Sequence, residues 1–345
     1  MEGFQRFSEA PSEQMKVDQR DKKILSMLSV DSRMPLSKLA KATYISKVAV
    51  HNRINTLQEK GIIKGFTTSI DLRYLGYSTY HIFMVINESD QLKKQHLIEH
   101  LMQIPNTKNI IEYSDRWDLE WVIIAKDLQE FDTIVTEATN KFSEIIMEKH
   151  KFGIIYGYES MHYPINLEHA SENLVLNEYQ TPEIIKLDES DYKIINALVK
   201  NSRESVLQIA QNIGLTQDIV RYRLKKLQES GLIRHNTAII NLSALNLHWH
   251  TLCINLKKFD SKSELKFKEY ISTKPQIIRA VKVLGDWDLM LHVVAETLQE
   301  VHFITKELEQ NFTSIFSSYQ SLLGFKEHYY TSFPRLLEVN DEARQ

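Results

Sequence analysis

Apolar residues open the chain at helical spacing, with Val17, Ile24, Leu25 and Leu28 on one face behind Asp18, whose short acidic side chain suits a helix N-cap. Leu36, Leu39 and Ala40 predict a second short helix. Val50, Ile54 and Leu57 predict a third, capped by Ser46 and stopped by Gly61. Three short helices with a tight break between the second and third form a helix-turn-helix pattern. The period then changes. Stretches such as "TYHIFMVIN" read as strands, and the order strand, helix, strand, strand, helix, strand predicts a ferredoxin-like βαββαβ unit. Its middle strands form a hairpin whose turn lies in "YSDRWDLEWV", Tyr113 to Val122.

The whole pattern is written twice. "VLGDWDLMLH", Val283 to His292, repeats that turn, and the pairs Trp117/Trp287, Asp18/Asp188, Arg53/Arg223, Gly61/Gly231 and Pro164/Pro334 all keep one offset without a gap. In the second copy Leu207, Ile209 and Ala210, a turn at Gly214, the Thr216 cap, and Val220, Leu224, Leu227 and Gly231 restate the three helices. The expected fold is α+β: two tandem units, each a winged-helix-like helix-turn-helix domain followed by a ferredoxin-like effector and oligomerisation domain. The expected boundaries are 17–72 and 73–164 for the first unit and 187–242 and 243–334 for the second. Residues 1–16 are expected to be a flexible arm, 165–186 a polar linker, and 335–345 a tail.

A length of 345 residues accommodates such a duplication. The formal net charge is only -3, so there is no global basic field and any nucleic-acid binding must be local. The single cysteine, Cys253, excludes an internal disulfide framework. No signal-peptide core or membrane-length apolar run is present, which predicts a cytoplasmic, nucleoid-associated protein without a membrane partner. No glycine loop or nucleophile motif points to a cofactor or a catalytic centre. His248 and His250 share a strand face but lack a third metal ligand, so no cofactor, metal or enzymatic activity is expected.

If the third helix of each copy enters a DNA major groove, the residues opposite its apolar stripe must do the reading. On the first helix these are Lys47, Val48, His51, Asn52 and Asn55, and on the second Gln217, Asp218, Arg221, Tyr222 and Lys225. Arg53 and Arg223 lie beside the stripe and suit a phosphate contact or a salt bridge better than a base edge. Residues 47–64 carry four basic and one acidic side chain, and residues 217–234 five and two, a local +3 in each copy of an acidic protein. Double-stranded DNA is the partner this implies.

Here "IAQNIGLTQDIVRYRLKKLQESGLIR" with "VLGDWDLMLHVVA", and "LAKATYISKVAVHNRINTLQEKGIIKGF" in the first copy, resemble the Lrp/AsnC family of transcription regulators. The resemblance covers nearly the whole chain, although the usual family chain has one unit. It implies a sequence-specific DNA-binding regulator responsive to an amino acid or another small effector. It also implies an intrachain pseudodimer that assembles further into a homo-oligomer, with two recognition helices free to differ. Relatives place effector contacts at the turn, where Gly285, Asp286 and Asp288 keep a Gly-x-x-Asp pattern and Gly285 allows positive φ and close approach. In the first copy Asp115 replaces the glycine while Asp118 remains. Two other classes compete. One is a siroheme decarboxylase-like enzyme of the same architecture, whose His-Asn-Tyr-x-Arg strand pattern fits neither "YSTYHIFMVI" nor "LHWHTLCINL". The other is a protein-interaction adaptor without DNA binding.

Overall fold

The computed structural model describes residues 3–8, 16–87, 90–160, 174–176 and 182–338, with the strand segments 158–160 and 174–176 described by their backbone alone. The first copy runs α1 (Gln19–Val30), α2 (Leu36–Thr43), α3 (Lys47–Glu59), β1 (Ile63–Ile70), β2 (Ser78–Ile86), α4 (Gln91–Gln103), β3 (Thr107–Tyr113), β4 (Leu119–Ala125), α5 (Leu128–Asn140) and β5 (Ile146–Ser160). After a short β6 (Leu174–Leu176) the second runs α6 (Glu189–Lys200), α7 (Val206–Ile213), α8 (Gln217–Glu229), β7 (Ile233–Ile240), β8 (His248–Leu256), α9 (Ser261–Ser272), β9 (Ile277–Leu284), β10 (Leu289–Ala295), α10 (Leu298–Asn311) and β11 (Phe316–Tyr330). Asp18 and Asp188 cap α1 and α6 in reciprocal boxes with Asp21 and Asp191. Ser46 and Thr216 cap the third helices.

The βαββαβ units form one nine-stranded sheet in the order β2-β4-β3-β11-β8-β10-β9-β5-β6, and β2 also pairs with β5. The sheet therefore closes on itself, and the two copies are joined at two seams, β3 with β11 and β5 with β9. Each long last strand changes partner midway. β11 leaves β8 for β3 at Gly324, where a Cβ would lie 2.9 Å from the Trp249 ring. A side chain has no room at that corner.

Closure decides which face of each strand meets the other copy. Ile82, Met84, Trp121 and Ile123, and in the second copy Leu252, Ile254, Leu289 and Leu291, are the apolar residues the sequence offers for sheet and interface packing. They face the outer helices of their own copy instead. The alternate positions fill the inter-sheet space: Phe83, Tyr113, Trp117, Phe152, Cys253, Val283, Trp287 and Met290. A strand's two faces differ by a one-residue step, and both faces of these strands carry large apolar residues, although the inward one also holds His81, Glu120, Thr251 and His292.

The strand after each third helix was not among the elements the sequence pattern picked out. β1 and β7 pair with each other, antiparallel, with Thr67 opposite Thr237. The helices pack across this ribbon. Ile24, Leu25 and Val50 share a core with Ala238, Ile240 and Leu242, while Ile194, Ile195 and Val220 share one with Ile70 and Leu72. Each helix-turn-helix domain is thus completed by the other copy. Ser32 Oγ lies 2.6 Å from Ser202 Oγ, a contact of equivalent residues that marks the pseudo-two-fold axis.

Two boundary expectations need correction. Residues 3–8 of the arm are not loose: Phe7 is buried against Trp249, Phe4 bridges Tyr330, and Arg6 makes a fork to the fully buried Glu327, with a 2.5 Å Nη2 contact. A buried carboxylate demands such a partner. The linker is not wholly a linker either. Leu174 pairs with Ser160 as Phe4 pairs with Tyr330, one repeat offset away, so residues 174–176 are the second copy's own arm strand. The rest of the expected arm and linker, at residues 1–2, 9–15, 165–173 and 177–181, the last residues 161–164 expected of the first effector domain, and the tail beyond residue 338, lie outside the described residues. Arg335–Leu337 form a single helical turn with Leu337 buried.

Candidate nucleic-acid interface

On α3 the residues Val50, Ile54 and Leu57 are buried, which turns Lys47, Val48, His51 and Asn52 outward and leaves Asn55 at the margin. Asn55 Nδ2 lies 3.3 Å from His51 Nε2, one helical turn away, so the two side chains form one exposed polar unit. On α8 the residues Val220 and Leu227 are buried, and Gln217, Asp218, Arg221, Tyr222 and Lys225 are exposed. Val48 and Tyr222 are about 70% exposed (69% and 70%), too open to serve the core. Arg221 Nη1 is 2.7 Å from Asp218, and Lys225 is 3.7 Å from Glu229, so the second face is internally paired.

Arg53 and Arg223 had two uses open to them, and the structure shows the salt bridge. Arg53 Nη1 lies 2.8 Å from Asp18 and 2.7 Å from Asp21, and Arg223 repeats this with Asp188 at 2.7 Å and Asp191 at 2.8 Å. Each guanidinium ties the third helix to the N-terminal cap of the first. Burial opposes the shift at Asp18, but the Asp21 amide and Arg53 hold its carboxyl below the usual range. The Asp191 amide and Arg223 do the same to Asp188.

The turn proposed for effector contacts is occupied by the protein itself. Asp118 Oδ2 accepts a hydrogen bond from the Ile86 amide at 2.6 Å, and Asp288 Oδ2 from the Leu256 amide at 2.7 Å, so both aspartates staple the hairpin to the end of the neighbouring strand. Asp286 meets His150 of the first copy. Gly285 does not have the positive φ expected of it; its role is close approach, since a Cβ would lie 2.3 Å from the Phe152 ring. Asp115 is tolerated at the equivalent place because Leu322 stands where Phe152 does, and its carboxylate accepts from the Leu323 amide at 2.6 Å. Trp117 and Trp287 pack edge-on inside the closed sheet, with ring centroids 6.3 Å apart.

A buried polar cluster inside the sheet was missed. His81 Nδ1 bonds Glu120, whose second oxygen accepts from the Tyr113 hydroxyl at 2.6 Å; Tyr113 Oη also lies 2.9 Å from Thr251 Oγ1, itself 3.2 Å from His292 Nδ1. Burial, reinforced by Glu120, pushes the Tyr113 phenol well above its ordinary pKa, so the hydroxyl remains a donor. Its signal was present in the repeat. Glu120 stands against Met290, His81 against Thr251 and Val122 against His292, polar substitutions at positions one copy fills differently. Strand periodicity alone gave no reason to look there.

The comparisons with known proteins agree with this geometry. A winged helix-turn-helix DNA-binding model matches residues 17–64 and again 187–234, and an Lrp/AsnC ligand binding domain model matches residues 252–329. The chain is 35% identical to the HTH-type transcriptional regulator LrpA of Pyrococcus abyssi, over 37% of this chain and 90% of that protein. It is 32% identical to the leucine-responsive regulatory protein of Rhizobium meliloti, over 36% of this chain and 81% of that one. Among solved structures, the siroheme decarboxylase NirDL is similar in fold: 15% identity and a TM-score of 0.59, covering 92% of this chain and 97% of that one. Among the described residues no helix is long and apolar enough to cross a membrane.

Proposed function

The chain belongs to the Lrp/AsnC family of DNA-binding transcriptional regulators, and on that premise we propose that it reads an asymmetric DNA site with two unlike recognition helices and responds to a small effector. One observation carries the reading. The two helix-turn-helix frameworks are the same down to the Arg53 and Arg223 ties, whereas the exposed faces they present are different. Asn52 suits adenine and Arg221 guanine, and Lys47, His51, Tyr222 and Lys225 reach neighbouring edges or phosphates. The two faces carry the same net charge, but on the second Arg221 is already paired with Asp218. Further assembly of such pseudodimers would bind two asymmetric sites in mirrored order.

Selection from a random duplex pool should therefore return two dissimilar half-sites about one helical turn, or a multiple of it, apart. Asn52→Ala and Arg221→Ala should each cost about 1 to 3 kcal/mol and relax preference at one base pair, in different half-sites. Perfectly symmetric selected sites, or unchanged affinity in both variants, would overturn the assignment. The likeness to siroheme decarboxylase is one of fold, and the strand pattern of those enzymes is absent from β2 and β8.

A further inference from the structure

The turn between the second and third helices has the same backbone in both copies. Gly214 closes α7 in the left-handed region at φ 71° and ψ 31°, and the Leu215 amide donates back to the Ala210 carbonyl at 3.0 Å. Tyr44 closes α2 at φ 56° and ψ 40°, and the Ile45 amide donates to the Ala40 carbonyl at 3.2 Å. This hydrogen-bonded stop needs a left-handed residue, and glycine adopts that conformation without a clash. A bulky aromatic residue adopts it only under strain. The second copy therefore holds the unstrained solution of the same turn, and the fold does not dictate a tyrosine at residue 44.

Packing does not offset the strain. Tyr44 is 90% exposed, the most open of the large apolar and aromatic residues described. Strain that the surrounding structure gains nothing from is retained where function uses it. Its place in the chain says what the use is. Tyr44 stands just before the Ser46 cap and Lys47, where α3 begins. When a helix-turn-helix docks, the first residues of the recognition helix reach base edges while the helix before it crosses the backbone. The turn that joins them comes to the wall of the groove, beside a row of phosphates. A phenol hydroxyl is a donor suited to a phosphate oxygen.

We propose that Tyr44 contacts DNA, donating its hydroxyl to a backbone phosphate at the edge of the first half-site, a contact that Gly214 withholds from the second. The inference rests on the DNA reading of the proposed function and extends it. The two half-sites differ in how firmly the register of the protein is fixed, as well as in the bases that are read. At Tyr44, stability is given up for binding.

The full-length protein and its Tyr44→Gly and Tyr44→Phe variants are melted without DNA and titrated with the selected duplex by fluorescence anisotropy. Tyr44→Gly should melt higher than the wild type and bind about tenfold more weakly, as for a lost hydrogen bond to a charged acceptor. Tyr44→Phe keeps the ring and the strain, so it should melt as the wild type does and bind nearly as weakly as Tyr44→Gly. The contact adds no charge, so both variants should keep the wild-type dependence of affinity on salt. Replacing phosphates singly by neutral methylphosphonate should reveal one position that weakens the wild type and leaves Tyr44→Phe unaffected. That position should lie in the half-site whose base preference Asn52→Ala relaxes. The proposal is overturned if Tyr44→Phe binds as tightly as the wild type, if Tyr44→Gly loses melting temperature together with affinity, or if the sensitive phosphate lies in the other half-site. A wild-type protein that binds no duplex would sink the DNA reading and this inference together, whereas binding that the variants share would sink this inference alone.

Discussion

Glu112 shows how much one side chain can couple this fold to pH. It lies 2.8 Å from Lys94 and 2.7 Å from His328; burial opposes ionisation, but the hydrogen bonds from His328 and Lys94 bring the carboxyl from 4.5 down to about 2. A depressed carboxyl stabilises the fold above its unfolded value, and that stabilisation is lost as pH falls from about 4.5 toward 2. His250 adds to the acid sensitivity from a higher starting pH. Burial, with help from His248, lowers it from 6.5 to about 4, so the unfolded chain takes up the proton first and stability declines as pH drops below 6.5. Urea unfolding should accordingly show stability falling steadily from pH 7 into the acid range. Glu112→Gln should cost about 1 to 3 kcal/mol at neutral pH and flatten the lower part of that profile. A variant that follows the wild-type profile throughout would refute the assignment. Glu112 did not stand out in the sequence, because Lys94 and His328 come from other elements; His250 was visible beside His248, but its burial was not.

Among the elements, the Trp-Asp turn shows the limits and the strength of reading a repeat. Its two aspartates were recognisable as hydrogen-bond acceptors, but their donors are the amides of Ile86 and Leu256 at the ends of adjacent strands. Gly285 was recognisable as special, but the reason is Phe152, which arrives from the first copy. Gly285→Ala should destabilise the protein by about 1 to 3 kcal/mol through overpacking. Combined with Phe152→Leu, which installs the smaller side chain found at residue 322, it should cost less than the sum of the single changes by about 1 kcal/mol or more. Additive effects in a urea double-mutant cycle would show that the two residues do not constrain each other.

For the whole molecule, the defining feature is that the helix-turn-helix domain and the closed sheet of the first copy are both completed by the second, although its outer sheet-helix core is its own. The helices α1–α3 share their core with β7 and the strand beyond it, and the central sheet closes only through the β3–β11 and β5–β9 seams. A chain cut within residues 161–173 should yield halves that are not stable monomers alone and that recover a one-to-one complex when refolded together. Light scattering after gel filtration would follow this. Two halves that remain folded, monomeric and indifferent to each other would disprove the exchange.

What the sequence by itself determined is local and repeated. Helical apolar spacing, the Asp18, Ser46, Asp188 and Thr216 caps, the turn residues, and the offset pairing of the copies set the element types, the duplication and the outward faces of the two recognition helices. These follow from interactions within a few residues of chain, or from a comparison of the chain with itself. The tertiary structure decided the rest: which apolar face of each strand turns inward, the ion-pair role of Arg53 and Arg223, and the exchange through β1 and β7. Strands with large apolar residues on both faces give little indication of inside and outside, and the few polar residues on one face, His81, Glu120, Thr251 and His292, do not say what they will meet. A closed sheet acquires its interior only when distant edges meet.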